Sequence, residues 1–235
     1  MNIFVLDLNP FVAAQQHCDK HVVKMILEYG QMLSTAHRLK DGRHTEWVVT
    51  NPETGRRKRI VECLLPDESA EPVWREPQHV DDPERYMPGR FELVIENQQC
   101  YRTAHANHPC SVWARETDAN YHWLAMLFQG TLQEYTLRYG KQHSAARLAP
   151  FFQRSPHNIK PGVMTPFAQA MPDEYKHEDA VEAYHRFYAG AKARFARWTE
   201  PAAVPTWFIR KTGTTNAALF TRAARLDRRS AVHAG

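Results

Sequence analysis

The residues best equipped for chemistry fall in the stretch HCDKHVVK, His17 to Lys24, where two histidines stand four positions apart. On a helix, positions i and i+4 share a face, and the same stepping continues through Lys24, Glu28 and Gln31. An imidazole pair, an amine and a carboxylate are the equipment of proton transfer and phosphate contact. His17, His21, Lys24 and Glu28, with Asp19 beside them, are therefore the candidate catalytic residues, and an ordinary solvated stripe is the competing reading. No metal is expected, because the glutamate of HExxH is absent and local spacing suggests no third ligand.

A second cluster, NHPCSVWARETDANYHWL with His105 just before it, gathers His108, Trp113, Arg115, Asn120, Tyr121 and Trp123. Aromatic and guanidinium groups together suit stacking on a nucleobase and contact with phosphate, although most of these rings should be core. Trp113 and Tyr121 are the stacking candidates here, with Arg115 and Asn120 as nucleic-acid contacts. Cys110 reads as a buried, inert thiol.

A third cluster lies near the C-terminus, where Lys176, Arg186, Lys192, Arg194, Arg210 and Lys211 supply positive charge and Trp207 a further ring. From Tyr184 onward there are ten Lys or Arg against two acids, Glu200 and Asp227, an asymmetry that suits a polyanionic partner. Arg186, Lys192 and Arg197 cannot all lie on one helix line, so only part of this charge faces a single partner. The chain contains no phosphate-cradling glycine loop, GxGxxG or GxSxG, which argues against a nucleotide hydrolase or a serine hydrolase.

The elements that must position these groups are mainly helical. Asn9 can cap a helix with Pro10 in its first turn, and the pattern runs to about Leu39, with Val22, Met25, Ile26, Tyr29, Leu33 and Ala36 as the buried stripe. From 41 to 65 two β-prone runs joined by NPETG predict an appended hairpin. A proline-rich loop is expected over 66–89, and helical periodicity over Phe91–His105. Pro109 can start a short helix, and Thr117 or Asp118 caps a long central one that Gly140 ends. Residues 144–176 read as loop with one short helix near Phe151, and a last helix is expected from Glu178 to Trp198. The expectation is a mainly α, compact helical single domain over 1–210 with a small β-hairpin insertion, followed by a basic polar tail over 211–235.

With 235 residues, one substantial core is the natural reading. No apolar run approaches the roughly 20 residues of a membrane span. The start MNIFVLDLNP lacks the basic flank and cleavage site of a signal peptide. Cys18, Cys63, Cys100 and Cys110 form no CxxC pair. A cytoplasmic location is expected, with no membrane partner and no cofactor.

The long first helix carrying Gln16 and His17, then MPDEYK, a helix and VPTWF near the C-terminus, is similar to the phage-type pyrimidine-dimer DNA glycosylases, the endonuclease V group. The likeness covers the N-terminal start with its helix and the C-terminal region. The middle is similar to uncharacterised phage proteins of that group. The resemblance implies a mainly α-helical enzyme that binds bent duplex DNA, with Gln16 among its contacts, and exposes a pyrimidine nucleotide. It also implies attack on the sugar by the free N-terminal amine, assisted by a carboxylate on the first helix. His17 falls where that family has a histidine, whereas Lys24 stands where the carboxylate should be, so either Glu28 or Asp19 would replace it, or Lys24, desolvated beside His21, would itself act as a nucleophilic amine. Asn2 is large enough to preserve Met1, whose amine would then be the attacking one.

Three functions follow as expectations. One is excision of a pyrimidine base through an imine, on a nucleotide exposed from the duplex. The next is a transferase of phage DNA hypermodification, which would attach a free amino acid or amine to an activated 5-hydroxymethyl pyrimidine, Lys24 and Arg115 holding the leaving phosphate and His17 or His21 acting as base. The last is a DNA-binding protein without catalysis.

Overall fold

Asn9 opens the helical body as expected: its side-chain oxygen accepts from the N–H groups of Phe11 and Val12, and Pro10 occupies the first turn of α1, Pro10–Gln16. The structure, a computed structural model, describes residues 1–75, 92–96, 98–214 and 220–221. The expected continuous helix to Leu39 is in fact two. His17 and Cys18 are extended, with ψ of 135° and 162°, before α2 runs from Asp19 to Asp41.

The break is held open from outside. The Arg138 guanidinium donates to the carbonyls of Gln15 and His17, and the Trp198 indole N–H donates to that of Gln16. Carbonyls that a continuing helix would have bonded thus find partners elsewhere, which removes the cost of stopping. Local apolar spacing carries no trace of these distant donors.

After α2, strands β1, Arg43–Thr50, and β2, Arg57–Leu64, form the expected antiparallel hairpin, with Thr50 opposite Arg57. Asn51 shapes the turn by accepting from Glu53 and Thr54, and Gly55 takes the left-handed conformation that closes it. The helix expected over Phe91–His105 does not form across the residues described there. Glu92–Ile95 is strand β4, paired antiparallel with β3, Pro72–Arg75, inside the segment expected to be loop. The alternation of half-buried Leu93, exposed Val94 and buried Ile95 suits a strand, and the β-branched pair favours it. The remainder of the proline-rich segment, 76–89, lies outside the described residues.

His108 and Pro109 start α3, Pro109–Ala114. Thr117 caps the central α4, Asp118–Tyr139, which Gly140 ends in a left-handed conformation. Helices α1 and α2 pack on α4, and at Gly130 the approach is so close that a Cβ would meet the Ala14 methyl at 2.9 Å. A short 3-10 turn at Phe151–Gln153 stands where a short helix was expected.

The last long helix is shorter than expected. Asp179 caps α5, Ala180–Phe187, which widens into a π-helical turn at Tyr188–Lys192. Trp198–Thr199 then forms β5, paired in parallel with β6 at Phe220–Thr221, on either side of α6, Thr206–Thr212. One core, built from Ile3 to Leu6, the inner faces of α2 and α4, and Tyr184, Tyr188, Trp198 and Phe208, joins both ends of the described chain. The fold is mainly α, as expected. No described helix is long and apolar enough to cross a membrane. Of the tail over 211–235, all but 211–214 and 220–221 lies outside the described residues.

Candidate functional site

The helix break decides which of the first-helix residues can act. Because His17 sits in the break, it turns into the core and is fully buried, and His21 is nearly so. Both His17 nitrogens are occupied: Nδ1–H donates to the Ala13 carbonyl at 2.6 Å, and Nε2 meets the Tyr29 hydroxyl at 2.7 Å. Tyr188 O–H accepts from the Cys18 amide and can donate to His21 Nδ1 at 2.7 Å, while Phe4 stacks on the imidazole. Burial lowers His17 to about 4 and His21 to about 2, with neighbouring positive charges adding to the effect for His21. The expected polar face through His17 and His21 is corrected accordingly: the two are neutral, partnered core groups, not a solvent-facing pair.

Asp19 is also committed elsewhere. It accepts from Arg138, from the Thr199 amide and from the Thr199 hydroxyl, so it fastens α2 to α4 and β5.

What remains of that face converges on one carboxylate. Glu28, 12% exposed, receives the Met1 α-amine at 3.5 Å on Oε2 and the Lys24 ε-amine at 3.1 Å on Oε1. Met1 is set there by Asn2, whose side chain donates to the Ala170 carbonyl and accepts from the Tyr184 hydroxyl, and by the Ser111 hydroxyl against the Met1 sulfur. Lys24 is not desolvated beside His21; its side chain is 68% exposed and turned to Glu28.

His108 borders the same group. Its Nδ1 accepts from the Cys110 amide, which leaves the proton on Nε2, and burial followed by the charges of the Met1 amine and His105 holds it below the ordinary histidine range. His105 beside it is exposed and has a φ of 48°, a left-handed conformation uncommon for a non-glycine residue and found more often at functional positions. Cys110 is buried and raised to about 11, in keeping with an inert thiol.

Beyond Lys24 the surface is basic. The π-turn carries Lys192, whose ammonium sits 4.4 Å over the Phe187 ring and is lowered by burial first, then by the charges of Lys24 and Arg194. Lys20 lies 5.2 Å over the Phe195 ring and Arg194 6.0 Å over the same ring. Lys24, Lys192 and Arg194 thus come together from distant parts of the sequence.

Gln16, Trp207, Arg210 and Lys211 form another group, lining a cavity of about 390 Å³ with Glu182 and His185. Trp207 donates to Gln16 Oε1 at 2.7 Å and one ring face is covered by His185 at 3.8 Å, so that face is not open to a base. Arg186 and Lys211 share Glu182, and Lys176 pairs with Asp173 on the surface.

The expected stacking rings of the second cluster are core. Tyr121 is fully buried with its hydroxyl on His37, and Trp113 is covered by Trp123 and Phe167. Asn120 is buried and ties Trp113 and Thr165 together, so it has no group free for DNA. Arg115 follows α3, half-buried, with Nη1 unpartnered among the described residues and its charge disfavoured by burial. Sequence reasoning passed over Lys20 and the placement of His108 beside Met1. Pro109 directly after His108 was the available signal, since it predicts a helix start that leaves the preceding side chain to cap.

Among the described residues no His, Cys, Asp or Glu grouping has the makings of a metal site. Comparison with protein-family models, with curated proteins and with solved structures finds no match to this chain.

Proposed function

We propose that this protein is a DNA enzyme acting on a pyrimidine nucleotide exposed from the duplex, most directly a glycosylase with lyase activity. The observation that carries the reading is the convergence of two amines, Met1 N and Lys24 Nζ, on Glu28. An amine that attacks C1′ of a deoxyribose must shed protons, and the bond to the base must break with its electron pair leaving on the base. A carboxylate in contact with the amine can take a proton from it and stabilise the positive charge that develops on the sugar. The product is an imine between enzyme and sugar, from which strand scission can follow.

Lys20, Lys192 and Arg194, close to Lys24 on one side, supply the positive charge that would hold the phosphates flanking an exposed nucleotide. His108, with its Nε2 proton available, is the group beside the amine that could protonate the departing base.

The test is incubation with duplexes carrying a thymine dimer or a phosphorylated hydroxymethyluracil, with and without borohydride, followed by intact-mass analysis of DNA and protein. A borohydride-trapped adduct with strand scission is expected, and peptide mapping will assign it to Met1 or Lys24. No adduct on any such duplex sinks the reading. Intact, heavier DNA formed only when amino acids or amines are supplied would instead identify the hypermodification transferase. That reading ranks second because His17 and His21, its expected bases, are buried and partnered.

A further inference from the structure

The β1–β2 hairpin is not used by the site around Glu28, and its two faces differ in kind. The register places Trp47 opposite Ile60 and Arg43 opposite Leu64. Ile60 and Leu64 pack with Ala70 and Ile95, so this face has its partner. The opposite face, with Val48 opposite Arg59 and Thr50 opposite Arg57, is exposed.

The turn end of the ribbon is mainly positive, on both faces. Arg56, Arg57, Lys58 and Arg59 are consecutive and exposed, with Arg57 and Arg59 on the open face and Lys58 on the other, and only Arg59 has an ion pair among the described residues, with Glu46 across the ladder. Like charges crowded at the end of a two-stranded ribbon repel, and the Arg59–Glu46 pair offsets only part of this. A polyanion offsets the rest.

The ribbon is also held firmly at its base. Arg38 on α2 donates to both carboxylate oxygens of Glu68 at 2.9 Å, and to the carbonyls of Cys63, Cys100 and Tyr101, with both ion-pair side chains fully buried. Strands of eight residues span about 26 Å at roughly 3.3 Å per residue. The major groove of B-form DNA, about 12 Å wide, admits a two-stranded ribbon, whereas the A-form groove of RNA is too narrow and deep for side chains to read.

We infer that the β1–β2 hairpin is a second DNA-binding element, which lays its turn end into the groove of duplex DNA and contacts phosphates on both sides of the ribbon, through Arg56 at the turn, Arg57 on one side and Lys58 on the other. The inference rests on the proposed DNA partner but not on the chemistry at Glu28. Such a contact fixes the position and orientation of the protein on the duplex at a distance from the exposed nucleotide.

The experiment compares the full chain with R56A/R57A/K58A on an unmodified 30-base-pair duplex, by fluorescence anisotropy over a series of salt concentrations, with circular dichroism and thermal melting as fold controls. Each phosphate contact contributes about 0.9 to the slope of log affinity against log salt, so the variant should lose about 2 to 3 from that slope and bind about 10- to 100-fold more weakly at low salt. R56K/R57K, which retains the charges, should keep the slope. If the unaltered protein binds and the folded alanine variant matches it in affinity and slope, the ribbon assignment falls and the proposed function stands. If the unaltered protein shows no salt-dependent duplex binding, both fall together.

Discussion

His17 Nε2 and the Tyr29 hydroxyl meet at 2.7 Å across the helix break, both fully buried. Burial, and to a smaller extent the charge of Arg138, holds His17 neutral there, with the Ala13 carbonyl on the other ring nitrogen. This makes the core sensitive to acid in a predictable direction.

Folded His17 and His37 are lowered to about 4 and His21 to about 2, against 6.5 ordinarily, so below pH 6.5 the unfolded chain takes up protons that the folded chain refuses. Stability is therefore retained above about pH 6.5 and lost as pH falls toward 4, by up to about 1.4 kcal/mol per unit for each histidine. Thermal melts from pH 7.5 to 4.5 should show a steepening fall in Tm below 6.5; a flat profile would refute the neutral, buried assignment.

Tyr29→Phe removes the hydroxyl and leaves a buried imidazole nitrogen unpaired, which costs about 1 to 3 kcal/mol. Urea unfolding should show the loss in midpoint with little change in slope, because the surface exposed on unfolding is nearly the same.

Breaking the Arg38–Glu68 pair from one side should be far worse than breaking it from both. Arg38→Met or Glu68→Leu alone leaves a buried charge with no counter-charge and is expected to destabilise by about 3 to 5 kcal/mol, whereas the double change recovers much of that loss. Equal costs for the singles and the double would show that the two side chains act independently.

Glu28→Gln keeps the shape of the side chain and removes the proton acceptor between the two amines. Borohydride trapping should slow by about 100- to 10,000-fold, the usual range for loss of a general base. Lys24→Ala tests which amine attacks: trapping that survives assigns the attack to Met1, and trapping that is lost with an unchanged fold assigns it to Lys24.

The structure shows why some of these features were legible in sequence and others were not. The Asn9 and Thr117 caps, the stop at Gly140 and the turn after Asn51 are each decided by groups within a few residues, and the sequence pattern locates them. The break at His17 depends on Arg138 and Trp198, more than a hundred residues away, and periodicity continues smoothly across it. The same distance problem hid the strand at Glu92–Ile95, which forms because β3 is there to pair with it. At the candidate site, Glu28 and Lys24 were visible from helical spacing, while the grouping of Lys24 with Lys192 and Arg194 needs the π-turn to bring the chain back. The rings chosen for stacking, Trp113 and Tyr121, were misread because an aromatic on α3 or α4 faces the core in this fold.

The anchoring of Asn2 by Ala170 and Tyr184 has a bearing on the order of events during synthesis. A chain still growing on the ribosome presents α2 with its Glu28 early, but the bonds that seat Met1 beside that carboxylate span about 170 to 180 residues and cannot form until Tyr184 has emerged. Contacts of such long sequence separation form late and slowly. The Met1 amine and the Glu28 carboxylate are therefore brought together only after most of the chain has been made, when Tyr184 packs against the N-terminal segment.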